Sequence, residues 1–160
     1  DESQGGGYSA FHTRRGELQY KEVKIPAAEI LANVGHHIKA GQLVYVATDE
    51  KKKSFFEALK KRFPKVRFMD DYFKEVGLDK INPNFLGMID QVICTRGDKF
   101  IGTWFSTFTG YITRMRGYLG KHDKTVWYGD KKHKDRQQKH ELPMFPYYMR
   151  EWNVSWTNID

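Results

Sequence analysis

The chain is poor in the residues that would settle its chemistry at a glance. It has one cysteine, Cys94, so no disulfide can form within it and the redox compartment stays open. Cys94 lies in the apolar run Gln91-Val92-Ile93-Cys94, where a small buried thiol is the expected role; a reactive thiol would want exposure and a nearby cation. No apolar run approaches the roughly 20 residues that span a bilayer, which excludes a membrane span. The opening DESQGGG is polar and Gly-rich, without a charged-then-apolar leader. It reads as a flexible lead or a cut end, and a start at Asp1 instead of Met predicts that upstream sequence is missing. Acids are outnumbered, 20 Asp and Glu against 27 Lys and Arg, a net charge of +7. That excess invites nucleic acid, but the cations are spread over faces and loops and no recognised DNA- or RNA-binding motif is present. No nucleic-acid partner is expected.

What is present reads as one domain. A chain of 160 residues is long enough for a real core, since a domain of this size buries roughly 70% of its unfolded surface. Residues 8–12 read as a strand. Pro26 opens a helix over 27–39 that stops at Ala40-Gly41. Residues 43–47 form a nearly continuous apolar run, the mark of a strand covered on both faces. Thr48-Asp49 is placed to cap a helix over 51–63, with Phe55, Phe56, Leu59 and Phe63 as its apolar stripe. Residues 66–69 read as a strand, Asn82-Pro83 opens a helix towards Cys94, 100–102 is a strand and 106–118 a helix. The alternation predicts an α/β fold, a doubly wound parallel sheet with right-handed crossovers and helices on both faces. Residues 121–140 are Lys-rich, broken only by Val126, Trp127 and Tyr128, and read as a surface excursion. The tail 142–160, with Phe145, Tyr147, Tyr148, Trp152 and Trp156, is expected to pack on this domain or on a neighbour.

Two segments carry the chemistry. In YSAFHTRRGELQY, from Tyr8, an apolar run closes at Phe11 and gives way at once to His12, Thr13, Arg14 and Arg15, with Gly16 to turn. In the second, Phe100-Ile101-Gly102-Thr103 leads into Ser106-Thr107-Phe108-Thr109, a hydroxyl-rich helix start whose free N–H groups point outward. Open α/β sheets hold anions in this way at the carboxyl ends of their strands. A planar guanidinium at Arg14 or Arg15 could bind two phosphate oxygens at once, although a solvated pair of charges would look the same. At Ser106 an ordinary helix cap and an anion site are compatible readings. His36 and His37 are neighbours on a helix and are expected to point apart. His133 and His140 lie in the charged stretch without supporting Cys or acids, so no metal is expected.

HTRRGELQ resembles the H-x-R-R-x-D-F segment of the protein O-fucosyltransferases. IDQVICTRGDKFIGTWFSTF resembles the I-D-Q-x-x-C…F-I-G-T…S-T-F segment of the same family, with the interval from Asp90 to Ser106 matching without a gap. VYVATDEKKKSFFEAL is similar to the family's strand-then-helix unit, and TRMRGYLGKHDKTVWYGDKK to the ending of plant-type relatives. One departure stands out: Glu17-Leu18 occupies the place of the family's Asp-Phe. The resemblance implies a Rossmann-like lobe of a GT-B glycosyltransferase, its C-terminal, donor-binding half, using GDP-fucose without a metal. It implies that Arg14 holds the β-phosphate and stabilises the leaving diphosphate, and that His12 contacts the donor. Ser106, Thr107 and Phe108 would meet the diphosphate and sugar, and Asp90 would accept hydrogen bonds from the guanine.

The organisation expected on these grounds is a lead over 1–7, a GDP-sugar-binding domain over 8–120 and a basic loop with aromatic tail over 121–160. The expected reaction is inverting transfer of fucose to a Ser or Thr hydroxyl. The general base and acceptor groove belong to the family's other lobe, so residues 1–160 alone are expected to bind donor without transferring it. Expected partners are GDP-fucose, a protein acceptor or an upstream N-terminal lobe, and a larger complex is compatible. The alternative is a non-catalytic accessory or scaffold subunit that kept the fold. The triplet Asn153-Val154-Ser155 fits N-glycosylation and a secretory-pathway location.

Overall fold

The computed structural model describes residues 7–17, 21, 24–103, 106–121 and 125–128. Among the described residues, five parallel strands carry the fold: β1 Tyr8–Thr13, β2 Leu43–Thr48, β3 Val66–Arg67, β4 Phe100–Thr103 and β5 Thr125–Tyr128. Their spatial order is β3-β2-β1-β4-β5. The α-helices are α1 Ala27–Val34, α2 Glu57–Arg62, α3 Leu86–Arg96 and α4 Thr107–Tyr118. The register sets Thr13 beside Thr48 and His12 beside Gly102, so the three central strands end at one level.

Alternation along the strands builds two cores. Phe11, Val44, Val46 and Ile101 point to one face, where Ile30 and Val34 of α1, Leu59 of α2 and Phe56, Phe63 and Phe68 cover them. Ala10, Tyr45, Ala47 and Phe100 point to the other, against Cys94 of α3 and Ile112 of α4. This is the α/β, doubly wound architecture expected from the alternation. Phe11, Phe56, Phe63 and Phe100 lose all solvent exposure, and burying an apolar side chain of that size contributes about 1.5–3 kcal/mol before cavity effects.

Several element boundaries differ from expectation. The helix expected over 51–63 begins as a 3-10 turn, Lys53–Phe56, and becomes α-helical only at Glu57. Neither element has a side-chain N-cap, because the Asp49 carboxylate is engaged elsewhere. The helix expected over 27–39 is α-helical only to Val34, after which Gly35–His37 tightens to a 3-10 turn. Its stop is Gly41, at φ +77°, a left-handed backbone that side-chain-bearing residues avoid. The strand expected over 66–69 is two residues long, since the Asp71 carboxylate accepts the Phe68 N–H at 2.8 Å and turns the chain. Asn82 Oδ1 caps a 3-10 turn by accepting from Asn84 N at 3.0 Å, and α3 starts behind it. Within the stretch read as a surface excursion, Thr125–Tyr128 instead extends the sheet beside β4. The residues before Gly7 and from 129 to 160, including most of the expected lead, the aromatic tail, His133, His140 and Asn153, lie outside the described residues.

Candidate functional site

The strand order runs outward from β1 in both directions, so the crossovers leaving β1 and β4 diverge and open a crevice between their carboxyl ends. Ligands of open α/β sheets bind at such a switch point. Both chemistry-bearing segments end there, Arg14 after β1 and Ser106 shortly after β4. Thr103, the last residue of β4, joins the two sides: its Oγ1 accepts the Arg14 N–H at 2.8 Å and donates to the His12 carbonyl at 2.8 Å.

The segment 14–16 is held by the turn after β2. Asp49 accepts the N–H of Arg15 at 2.7 Å and of Gly16 at 2.8 Å, and its Oδ2 lies 3.2 Å from Arg14 Nε. Asp49 is thus a tertiary anchor and not the helix cap expected from its sequence. Gly16 suits this closeness, for a Cβ there would fall 2.5 Å from Asp49 Oδ2. Thr48 completes the turn, donating to the Thr13 carbonyl at 2.7 Å and accepting from Glu50 N at 3.0 Å.

The two arginines have different fates. Arg15 Nε donates to Glu50 at 3.0 Å, its NH1 donates to the Ile25 carbonyl at 3.1 Å, and its guanidinium lies 4.0 Å over the Phe55 ring. It is committed to the fold. Arg14 spends Nε on Asp49, and its side chain keeps 36% exposure. The terminal nitrogens of its fork lie beyond the carboxylate contact, the geometry that suits two oxygens of one anion.

His12 points to the α4 side of the sheet. Its Nδ1 shares a 2.7 Å hydrogen bond with Thr109 Oγ1, and its ring stacks on Phe108 with centroids 4.4 Å apart. Burial lowers its pKa from 6.5 to about 3, so the imidazole is neutral at physiological pH. Beside it, β4 and α4 touch: a Cβ on Gly102 would fall 2.1 Å from Thr109 Cγ2, which explains the glycine of F-I-G-T. Ser106 is the N-cap of α4, with extended backbone, but its side chain makes no cap hydrogen bond. The hydroxyl cap expected there is therefore not formed. The Ser106 carbonyl accepts from Gly110 N at 3.0 Å, and the first-turn N–H groups keep the partial positive charge of a helix start. Ser106 is buried, Thr107 exposed and Phe108 half-buried.

Asp90 stands apart from this cluster. It lies one turn inside α3, three residues after Gly87, whose Cβ position would be 3.7 Å from the Phe108 ring. Residues three apart share a helix face, so Asp90 continues the face that Phe108 touches. Its Oδ1 accepts the Tyr45 hydroxyl at 2.5 Å. Burial raises its carboxyl from 3.8 to about 6, with the Tyr45 bond and the Lys53 charge pulling down and Asp70 pushing up.

The structure therefore gathers His12, Arg14, Ser106, Thr107 and Phe108 at one crevice and sets Asp90 a helical turn deeper. Asp49, Thr103, Thr109 and Tyr45 serve the same region through partners that local sequence does not show. The local signals for them are the turn Thr48-Asp49-Glu50 and the Thr that closes each of β1, β2 and β4. Glu17, at the family departure, is exposed, and Leu18 lies outside the described residues. His36 and His37 do not point apart, because they sit in a 3-10 turn and their rings meet at 4.0 Å. Among the described residues no group of three His, Cys, Asp or Glu is placed to hold a metal ion. No helix there is long and apolar enough to cross a membrane. Cys94 is fully buried and burial pushes its thiol pKa up, the expected structural role.

Comparison with known proteins agrees with the motif reading. Residues 3–119 match the profile of the family described as GDP-fucose protein O-fucosyltransferase. The chain is similar to "GDP-fucose protein O-fucosyltransferase 2" of Homo sapiens, 33% identical over 127 residues that cover 77% of this chain and 29% of that protein. It is similar to proteins of the same name from Caenorhabditis elegans, 30% identical over 124 residues (72% of this chain, 27% of that protein), and from Plasmodium vivax, 29% over 84 residues (52% and 17%). The chain thus spans less than a third of the length of these relatives. With the family profile matched over most of its length and across both crevice segments, the chain belongs to the GDP-fucose protein O-fucosyltransferase family.

Proposed function

We propose that this chain is the donor-binding lobe of a protein O-fucosyltransferase, with GDP-fucose seated in the crevice between β1 and β4. The observation that carries the reading is the joining of the β1 end to β4 and α4, through Thr103 on the Arg14 N–H and through His12 on Thr109 and Phe108, with Arg14 partly exposed and the start of α4 without a side-chain cap. The diphosphate would lie between them, its β-phosphate on the Arg14 fork and its charge shared with the N–H groups at Thr107 and Phe108. Asp90 would accept from the adjacent N–H donors of guanine, a pattern adenine lacks. His12, neutral and clamped between Thr109 and Phe108, would shape the donor side of the pocket.

In the reaction, an acceptor Ser or Thr oxygen attacks the fucose anomeric carbon. The bond from that carbon to the β-phosphate oxygen breaks, and GDP leaves with the electron pair. Arg14 and the α4 dipole would lie where that negative charge grows, which is where preorganised electrostatics lower a barrier. The acceptor proton must pass to a base, and none of the crevice residues is assigned that task. A lumenal location in the secretory pathway belongs to the same reading.

Calorimetric titration of the chain with GDP, GMP and ADP tests the proposal. GDP should bind best. Arg14→Ala should weaken GDP by about 1.5–3 kcal/mol, the worth of hydrogen bonds to a charged group, and abolish most of the advantage over GMP. Arg15→Ala should leave the GDP to GMP ratio unchanged, since its guanidinium is spent on Glu50, Ile25 and Phe55. Equal affinity for GDP and ADP would remove Asp90 from base recognition.

A further inference from the structure

β2 reads Leu-Val-Tyr-Val-Ala-Thr, and Tyr45 is its one residue before Thr48 with a polar tip. Tyr45 is 3% exposed and packs within the α3 and α4 core. A buried phenol needs a hydrogen-bond partner, and the sheet offers none, because neighbouring backbone groups are spent on the ladder. Its partner is Asp90 Oδ1, reached across the sheet-to-helix interface at 2.5 Å. An aspartate on the second turn of a helix would otherwise rotate freely about its terminal torsion.

We infer that Tyr45 is a positioning residue for nucleobase recognition, its hydroxyl holding one oxygen of Asp90 so that the remaining lone pairs of the carboxylate face a guanine-type base. The inference rests on the reading of Asp90 as the base acceptor. One O–H donor occupies one of about four lone-pair sites on a carboxylate, which leaves room for two N–H donors from a ligand. The same bond favours the ionised form, and only that form accepts on both oxygens. Burial works against it, and the balance sets the Asp90 carboxyl at about 6. The groups facing Asp90 are Tyr45 from β2, Lys53 from the turn after β2, Asp70 from the turn after β3 and Cys94 on its own helix. Lys53 is already shared, with its Nζ 3.1 Å from Asp70. Burial and the Asp90 charge push the Tyr45 hydroxyl pKa far upward, so it stays a donor over any practical pH.

Calorimetry with GDP on the full 160-residue chain between pH 5 and 8.5 tests this, comparing wild type, Tyr45→Phe and Asp90→Asn. Wild-type affinity should fall as the pH drops through about 6. In Tyr45→Phe the same fall should come about one to two pH units higher, the shift expected from losing a hydrogen bond to the charged form, with affinity recovering at the alkaline end. Ionisation of GDP itself is common to all three proteins and cancels in the comparison. Asp90→Asn should lose the Asp90-dependent step and the preference for GDP over ADP. A Tyr45→Phe curve that is weaker at every pH without a displaced midpoint overturns the positioning role. An Asp90→Asn protein that binds GDP as wild type does overturns the base reading instead, so the two failures are separable. A measurement on wild type needs no variant: the Tyr45 ¹³Cζ and Asp90 ¹³Cγ resonances should titrate with one shared midpoint. A Tyr45 signal indifferent to that midpoint also overturns the inference.

Discussion

Arg116, in the last turn of α4, has no solvent exposure. Its NH1 donates to the carbonyls of Thr95 at 3.0 Å and Gly97 at 2.6 Å, and its NH2 donates to that of Asp98 at 3.1 Å. These oxygens belong to the end of α3 and the turn into β4, where a helix leaves its final carbonyls without partners and carries partial negative charge. Arg116→Met keeps the length and apolar stem and deletes every donor. Three hydrogen bonds from a charged group are worth roughly 1.5–3 kcal/mol each, while removing a buried guanidinium returns several kcal/mol of desolvation. The expected net loss is about 3 kcal/mol, which for a chain of this size lowers Tm by roughly 6–12 °C. Arg116→Lys should recover less than half, because an ammonium is a point donor and cannot span carbonyls on both sides of the turn. Urea unfolding followed by circular dichroism measures both. A loss under about 1 kcal/mol for Met, or a Lys variant equal to wild type, would refute the view that this fork holds α3, β4 and α4 together.

Further substitutions probe the crevice and the neighbouring Asp90. His12 is neutral when folded and takes a proton when unfolded below pH 6.5, so its contribution is complete above 6.5 and is lost as pH falls towards 3. Asp90, raised from 3.8 to about 6, runs the other way: its contribution is complete below 3.8 and is lost as pH rises through 6. Between pH 4 and 6 the two offset, so His12→Gln should tilt the stability curve downward with rising pH and Asp90→Asn should tilt it upward, each by roughly 1 kcal/mol per pH unit; curves parallel to wild type would contradict both. Gly102→Ala should cost about 1–3 kcal/mol by overpacking and weaken GDP by displacing the start of α4, whereas Thr109→Ser in the same chain should restore part of both, since it removes the Cγ2 that lies 2.1 Å from the new methyl position. Equal losses in the single and double variants would show that the contact does not limit the approach of the two elements.

The parts of this site that the sequence discloses are those whose signal is local. An apolar run that stops at His12-Thr13-Arg14, or at Thr103 before Ser106-Thr107-Phe108, reports a strand end and a helix start without reference to anything distant. The strand–helix alternation is legible for the same reason, since each period is complete within its own segment. Asp49 deceives a local reading because its signal, an acid after a strand and before a helix, is the signature of a cap, while the competing partners lie 33 and 34 residues earlier at Gly16 and Arg15. Two backbone N–H donors and a guanidinium outweigh one first-turn N–H, so the helix starts late and as a 3-10 turn.

Tyr45 and Arg116 were invisible for a related reason. A tyrosine inside an apolar strand looks like core, and an arginine in a helix looks like surface; neither periodicity nor spacing shows that their polar ends meet Asp90 and the end of α3. Thr125–Tyr128 escaped because four residues among lysines are too short to establish a period of two, and only the open edge of β4 makes them a strand. The groups proposed to face the ligand are thus written in local motifs, while the residues that fix their orientation act across the fold. The separation has a chemical consequence at Asp90 and Arg14. Each is aimed by a partner on β2 or the turn behind it, Tyr45 in one case and Asp49 in the other. A displacement of the β2 end would therefore move the proposed base and phosphate contacts together, so substitutions at Thr48, which ties that turn to Thr13 at 2.7 Å, should weaken GDP without touching either contact.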